Sequence, residues 1–253
     1  MTSAAVFFGL VTDTHYGPTA YGNRDCPGAL GRLRATLDAF AAAGVALVVN
    51  LGDAIDTAPT AAAELALCAE VRAAFDAFPG AVLHVIGNHD VAMLGKAEYL
   101  AAVGSRHPAY YSLDLHGMHL IILDGNCHED GTDFDRGDFS WDDAWLSPAQ
   151  IQWLEDDLAA AADRPTLLFC HECLDASTDD PHVLRNAPEI RRLLRRHPAV
   201  RAVFQGHFHP GRQTRIAGMP CHTLPALVAG AGGDPVGAIA TVRTDGTVTL
   251  RAV

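Results

Sequence analysis

The stretch VFFGLVTDTH, residues 6–15, joins a run without polar side chains to a short polar segment carrying Asp13 and His15. Such a run reads as a strand buried on both faces, and the aspartate and histidine beyond it are both able to bind a cation. The same pattern recurs along the chain. VALVVNL (45–51) leads to Gly52 and Asp53, AVLHVI (81–86) to Gly87, Asn88, His89 and Asp90, TLLFC (166–170) to His171, and AVFQ (202–205) to His207 and His209. Taken singly, each has an ordinary explanation as a turn residue or helix cap. Five strand endings in succession point instead to one shared site, because open α/β sheets bind ligands beyond the carboxyl ends of their strands.

A sixth run, HLIILD (119–124), completes the buried strands, and amphipathic stretches separate them. Helices are predicted over 30–43, 60–78, 147–162 and 187–197, the third sharpened by Ser147 as N-cap and Pro148 in the first turn. From about residue 211 the chain turns to short strands, with Asp245–Gly246 as a hairpin turn. At 253 residues with 49% hydrophobic content, an α/β chain of this kind is expected to form a single domain over 1–253.

Composition excludes several classes. The formal charge of −12 opposes binding to nucleic-acid polymers or anionic membranes, and RRLLRR (191–196) reads as a solvated helix face. The N-terminal run lacks a basic segment and a small-residue cleavage site, and no apolar run reaches membrane-spanning length, so a cytoplasmic location is expected. The six cysteines are few for this length, and Cys170 and Cys173 lack the second pair that a zinc–thiolate site needs.

The order D-x-H, G-D, G-N-H-D, H and G-H-x-H, from Asp13 to His209, resembles that of the calcineurin-like metallophosphoesterases. The resemblance implies a four-layer αββα sandwich with two central mixed sheets and two metal ions at the strand ends. By matching motif positions, Asp13, His15, Asp53 and His209 are expected to hold one ion and Asp53, Asn88, His171 and His207 the other, with Asp53 bridging. His89 is expected to act as general acid or to stabilise the phosphoryl group, with Asp90 hydrogen-bonding its ring. Asp56 stands where the purple acid phosphatase branch carries a tyrosine ligand, which argues against a tyrosinate–iron site and leaves Asp56 to support a ligand or loop.

Those residue types also suit the chemistry directly. A carboxylate can offer its two oxygens to two cations, an asparagine gives a neutral oxygen, and imidazoles suit manganese, iron or zinc. Two such ions lower the pKa of a shared water toward about 7, giving a metal-bound hydroxide for in-line attack on phosphorus. The implied activity is hydrolysis of a small phosphodiester or nucleotide diphosphate. A phosphomonoesterase or phosphoprotein phosphatase, and a non-catalytic scaffold on the same fold, are the alternatives.

Residues 139–158, FSWDDAWLSPAQIQWLEDDL, are similar to a segment of phosphodiesterase and nucleotide-diphosphatase branches, including ADP-ribose/CDP-alcohol diphosphatases. Because His15 stands where that last branch has glutamine, its substrate is not carried over. Tyr16, Asn23 and Arg24 follow the first motif and are candidates to line the pocket. The insertion at 125–147 holds seven acidic residues against one arginine, Arg136; if it overhangs the pocket, its field disfavours dianionic monoesters.

Overall fold

Strand β1 (Ala5–Val11) opens the chain, followed by α1 (Cys26–Ala42), β2 (Leu47–Asn50), α2 (Ala61–Asp76) and β3 (Ala81–His84). Then come α3 (Lys96–Ala102), β4 (Tyr111–Leu115), β5 (Met118–Ile122), α4 (Pro148–Ala160), β6 (Thr166–Phe169), α5 (Ala187–Arg195) and β7 (Val200–Gln205). Two hairpins close it, β8 (Arg212–Ile216) with β9 (Met219–Thr223) and β10 (Ala238–Arg243) with β11 (Val248–Ala252). The computed structural model describes residues 5–138, 140–230, 232–243 and 246–253. Phe139, and Asp245 of the expected hairpin turn, lie outside them.

The strands form two mixed sheets, ordered β11-β10-β1-β2-β3 and β4-β5-β6-β7-β9-β8. Strands β1 to β3 run parallel, as do β5, β6, β7 and β9, while β10, β11, β4 and β8 pair antiparallel with their neighbours. Alternation along each strand divides its side chains between two cores. Phe8, Leu10, Val49, Ile122, Phe169 and Phe204 fill the space between the sheets. Val11, Val48, Ile121, Leu168 and Val203 instead join the cluster packed by the helices, which covers the outer faces. Burial on both faces explains the continuous apolar runs, and each fully buried Leu or Phe contributes about 1.5–3 kcal/mol of transfer free energy. The result is the αββα sandwich.

Local chemistry sets the element ends. Ser147 accepts from the Gln150 amide at 3.2 Å and starts α4, and Thr60 caps α2 in the same way through Ala63. Helix α1 begins four residues before the predicted start because Asp25 accepts from the Gly28 amide and Pro27 fits the first turn. Leu51, Val85 and Ile86 fall beyond the bounds of β2 and β3, although the Leu51 amide still donates to Val11 O and the Val85 amide to Asn50 O, each at 2.8 Å. Helix α3 and edge strand β4 escape the hydrophobic pattern: the first has seven residues, and the second is only partly buried.

Candidate metal centre

Strands β1, β2, β3, β6 and β7 end at one edge of the sandwich and deliver the motif residues there. Asp13, His15, Asp53, Asn88, His171 and His207 are buried; His209 is partly exposed. The turns that carry them are conformationally costly. Asp13, His15, Asp53 and His207 all have positive φ, between 43° and 66°, where non-glycine residues cost of order 1–3 kcal/mol each. Backbone bonds hold them: Asp13 N donates to Gly52 O at 3.0 Å, His15 N to Asp53 O at 2.9 Å, and His207 N to Asp13 Oδ2 at 3.1 Å. Gly52, at φ 100°, supplies a bend that a side chain resists, and a Cβ on Gly87 would lie 2.2 Å from Asp53 Oδ1.

The side chains form two connected groups. Asp13, His15 and His209 converge, with Asp13 Oδ1 3.6 Å from His15 Nε2 and 3.4 Å from His209 Nε2. Asp53, His171 and His207 make the second group, and His15, Asp53 and His89 overlap both. Asp53 Oδ1 accepts the His89 amide at 2.8 Å, while Oδ2 lies 3.4 Å from His15 Nε2 and 3.3 Å from His171 Nε2. Thus one oxygen, rather than the expected two, faces both groups.

Five buried atoms here have no hydrogen-bond partner among the described residues: Asp13 Oδ1, His15 Nδ1, Asn88 Oδ1, His171 Nε2 and His207 Nε2. Orphaned polar atoms on this scale are costly unless a ligand completes them. His171 is oriented for that role, since its Nδ1 pairs with Leu51 O at 2.8 Å and leaves Nε2 turned inward. The local field agrees. Burial pushes the Asp13 carboxyl up, yet His15 and His209 hold it well below the usual range. Burial disfavours charge on His15, but Asp53, Asp13 and Asp56 raise its pKa to about 9. Burial and His171 lower His207 to about 3. Buried acids that stay ionised call for positive charge, and the donors around them, oxygen and imidazole without thiolate, fit two divalent cations.

Two expectations need revision. Asp90 does not reach the His89 ring: its carboxylate accepts the amides of Asp53, Ala54 and Gly87, each at 2.9 Å, and so ties two site loops together. Asp56 takes the place expected for Asp90, with Oδ1 3.0 Å from His89 Nδ1 and 3.6 Å from His15 Nδ1. Burial would raise Asp56, but His15 and His89 hold its carboxyl well below the ordinary value. Finally, Tyr16 turns away to donate to Glu70 at 2.8 Å, because its backbone pairs with the strand-like Ile55 segment.

Above the cluster opens a cleft of about 710 Å³ lined by Asp53, Asn88, His89, His207 and His209, and by Asn23 and Arg24 as expected from sequence. Its wall also contains Tyr21, Trp141, His182 and Phe208, which the sequence pattern does not single out. Of the acidic insertion only Trp141 lines it among the described residues; Asp133 pairs with Lys96 at 2.5 Å, and Asp135 lies beside Arg136. The insertion therefore brings an aromatic ring to the cleft, while Asp133 and Asp135 turn to Lys96 and Arg136.

Two mixed sheets whose strand ends converge on a shared carboxylate and a ring of imidazoles define a metal-dependent phosphoester hydrolase. The chain belongs to the calcineurin-like phosphoesterase family, whose model matches residues 8–211. The family uses two metal ions, and the residues needed to hold them are present. Over 219 residues the chain is 31% identical to a probable cyclic nucleotide phosphodiesterase of Rhodococcus erythropolis, covering 83% of this chain and 67% of that one. A shorter match, 33% over 87 residues, links it to the glycerophosphodiester phosphodiesterase GpdQ of Enterobacter lignolyticus and covers 33% of this chain and 31% of the relative. The fold is shared with a dimetal phosphatase from Danio rerio, with a TM-score of 0.80 at 21% identity over 98% of this chain and 95% of that one. No helix among the described residues is long and apolar enough to cross a membrane.

Proposed function

We propose that this protein hydrolyses a small phosphodiester in a binuclear site, with Asp13, His15, Asp53 and His209 around one cation and Asp53, Asn88, His171 and His207 around the other. The observation that carries this reading is the set of buried, unpartnered donor atoms gathered about Asp53 Oδ2 beneath an open cleft. Manganese, iron or zinc suits such donors, and a pair of these ions activates water and neutralises charge on the phosphoryl oxygens. The chain's own residues do the rest. Asp53 Oδ1, held by the His89 amide, keeps Oδ2 aimed at both groups. Asp56 accepts a hydrogen bond from His89 Nδ1–H and fixes its tautomer, so that Nε2 serves the leaving oxygen. Arg24 and Asn23 at the cleft wall meet the substrate's outer oxygens.

The relatives' cyclic-nucleotide and glycerophosphodiester activities support a diester in preference to a monoester. Pairing of β1 with β10, from opposite ends of the chain, supports 1–253 as one domain. Six buried, unpaired cysteines accord with a reducing cytoplasm, and the charge of −12 with a small substrate rather than a nucleic-acid polymer. The deciding experiment reconstitutes metal-free protein with manganese and compares bis(p-nitrophenyl) phosphate with p-nitrophenyl phosphate. Higher kcat/KM on the diester is expected; a monoester preference overturns the reading.

A further inference from the structure

Four large apolar side chains are exposed among the described residues, and two of them, Tyr21 and Trp141, line the metal-site cleft. Trp141 is 44% exposed, yet its loop is fastened. Ser140 Oγ donates to Asp142 Oδ1 at 2.7 Å, and the Asp143 amide donates to Ser140 O at 3.1 Å. Arg185 donates to the Asp142 carbonyl, lies 3.5 Å from the Asp143 carboxylate and donates to Thr178 O at 2.6 Å. One guanidinium thus joins the Trp141 loop to the segment that carries His182.

The two rings meet beside the cluster. Trp141 and His182 have centroids 5.5 Å apart at 55°, and Trp141 and His207 have centroids 6.0 Å apart at 58°. Neither imidazole lies flat on the indole. His182 is held in turn, its Nδ1 2.8 Å from Asp180 Oδ1, with Asp180 Oδ2 accepting from Arg212 at 3.0 Å. An indole kept in water by polar anchors, with no ring among the described residues stacked flat on it, suits a flat, apolar-faced ligand group.

We propose that Trp141, backed by His182, is a stacking platform for the base of a nucleoside phosphodiester, and that it makes the enzyme select nucleotide diesters over aliphatic ones. This rests on the phosphodiesterase reading and adds the substrate class to it. The indole adjoins His207, so a base stacked there leaves its sugar phosphate over the metal-competent groups. Every nucleobase presents a π-face, so the platform prefers nucleotides without choosing strongly among bases.

The test measures kcat/KM for 3′,5′-cyclic AMP and for glycerophosphoethanolamine with manganese-loaded wild type, Trp141→Ala and Trp141→Phe. Trp141→Ala is expected to lower the ratio of the two values by about tenfold or more, chiefly through KM for the nucleotide. Trp141→Phe, which keeps an aromatic face and guards against a folding defect, should hold the ratio within about threefold of wild type. Equal losses on both substrates in Trp141→Ala, or a Phe variant as impaired in the ratio as the Ala variant, overturn the platform. Wild-type turnover of the glycerol diester alone overturns it too while leaving the diester reading intact. Hydrolysis of p-nitrophenyl phosphate with neither diester cleaved overturns the diester reading itself.

Discussion

The turns that end the parallel strands and the loop between β5 and α4 reach the same cleft by opposite means. The strand-end turns are short, buried and strained, and their positive φ values are held by bonds to one another's backbones. The β5–α4 loop is long and acidic, and is pinned from outside by Lys96 and Arg185. Burial makes the first region intolerant, because a lost partner leaves a charge or an amide unpaired away from water. Solvent makes the second forgiving, because exposed ion pairs are worth only about 0.2–1 kcal/mol.

The largest effect that sharpens this contrast is expected at the shared carboxylate. Asp53→Ala should reduce hydrolysis to background and remove metal from both positions, read by metal analysis of reconstituted protein. Retention of two equivalents with full activity would break the binuclear arrangement. Next is His89→Ala, expected to keep both ions and to lose about 10²–10⁴ in rate on esters with poor leaving groups. Asp56→Asn should reproduce part of that loss. Asp90→Asn should instead lower thermal stability, because its carboxylate holds four backbone amides. A kinetic defect for Asp90→Asn confined to poor leaving groups would restore Asp90 to the His89 ring.

A smaller effect is expected from acid. Burial lowers the pKa of His84, the last residue of β3, to about 4, below its ordinary 6.5. The unfolded chain therefore binds this proton more readily than the folded one, so the stability is intact above pH 6.5 and falls as pH drops toward 4. The linked loss is about 3 kcal/mol as an order of magnitude. Thermal unfolding of wild type and His84→Gln between these pH values checks it: the variant's curve should be flatter. The smallest effect belongs to the insertion. Asp133→Asn with Asp135→Asn should leave the diester-to-monoester ratio within about twofold, since these carboxylates face Lys96 and Arg136 and not the cleft. A larger change would return an acidic field to the pocket.

The motifs that end strands were legible because a buried strand has two ends and the chain direction picks one of them. Asp13, His15, Asp53, Asn88, His171, His207 and His209 could thus be singled out as strand-end residues, whereas the two sheets and the division of ligands between two ions followed from the family resemblance. What spacing does not carry is the path of a loop between its anchors. Asp56 and Asp90 are both acids near His89 in sequence, and only the fold of the turn sends one to the ring and the other to the backbone. Trp141 and His182 lie far apart in the chain and become neighbours through Arg185, a contact with no sequence signature. The acid count of 125–147 was equally uninformative about direction, because a side chain in a surface loop faces whichever cation is nearest.

Strand β1 carries a consequence for the order of assembly. It pairs on one side with β2 and on the other with β10, where Leu10 faces Ala238. The amides of Leu227 and Val228 donate to Thr12 and Asp13 carbonyls, each at 3.0 Å, and buried Arg32 grips the Leu227 and Val228 carbonyls from α1. Strand β1 thus cannot complete its sheet, nor the Asp13 turn find its support, until residues 227–243 have been synthesised. Until then β1 presents an open edge, the form of strand most prone to pairing with another molecule, and closure over so long a loop is intrinsically slow. A nascent chain stalled before β10 should accordingly be the species that aggregates and that a chaperone must shield.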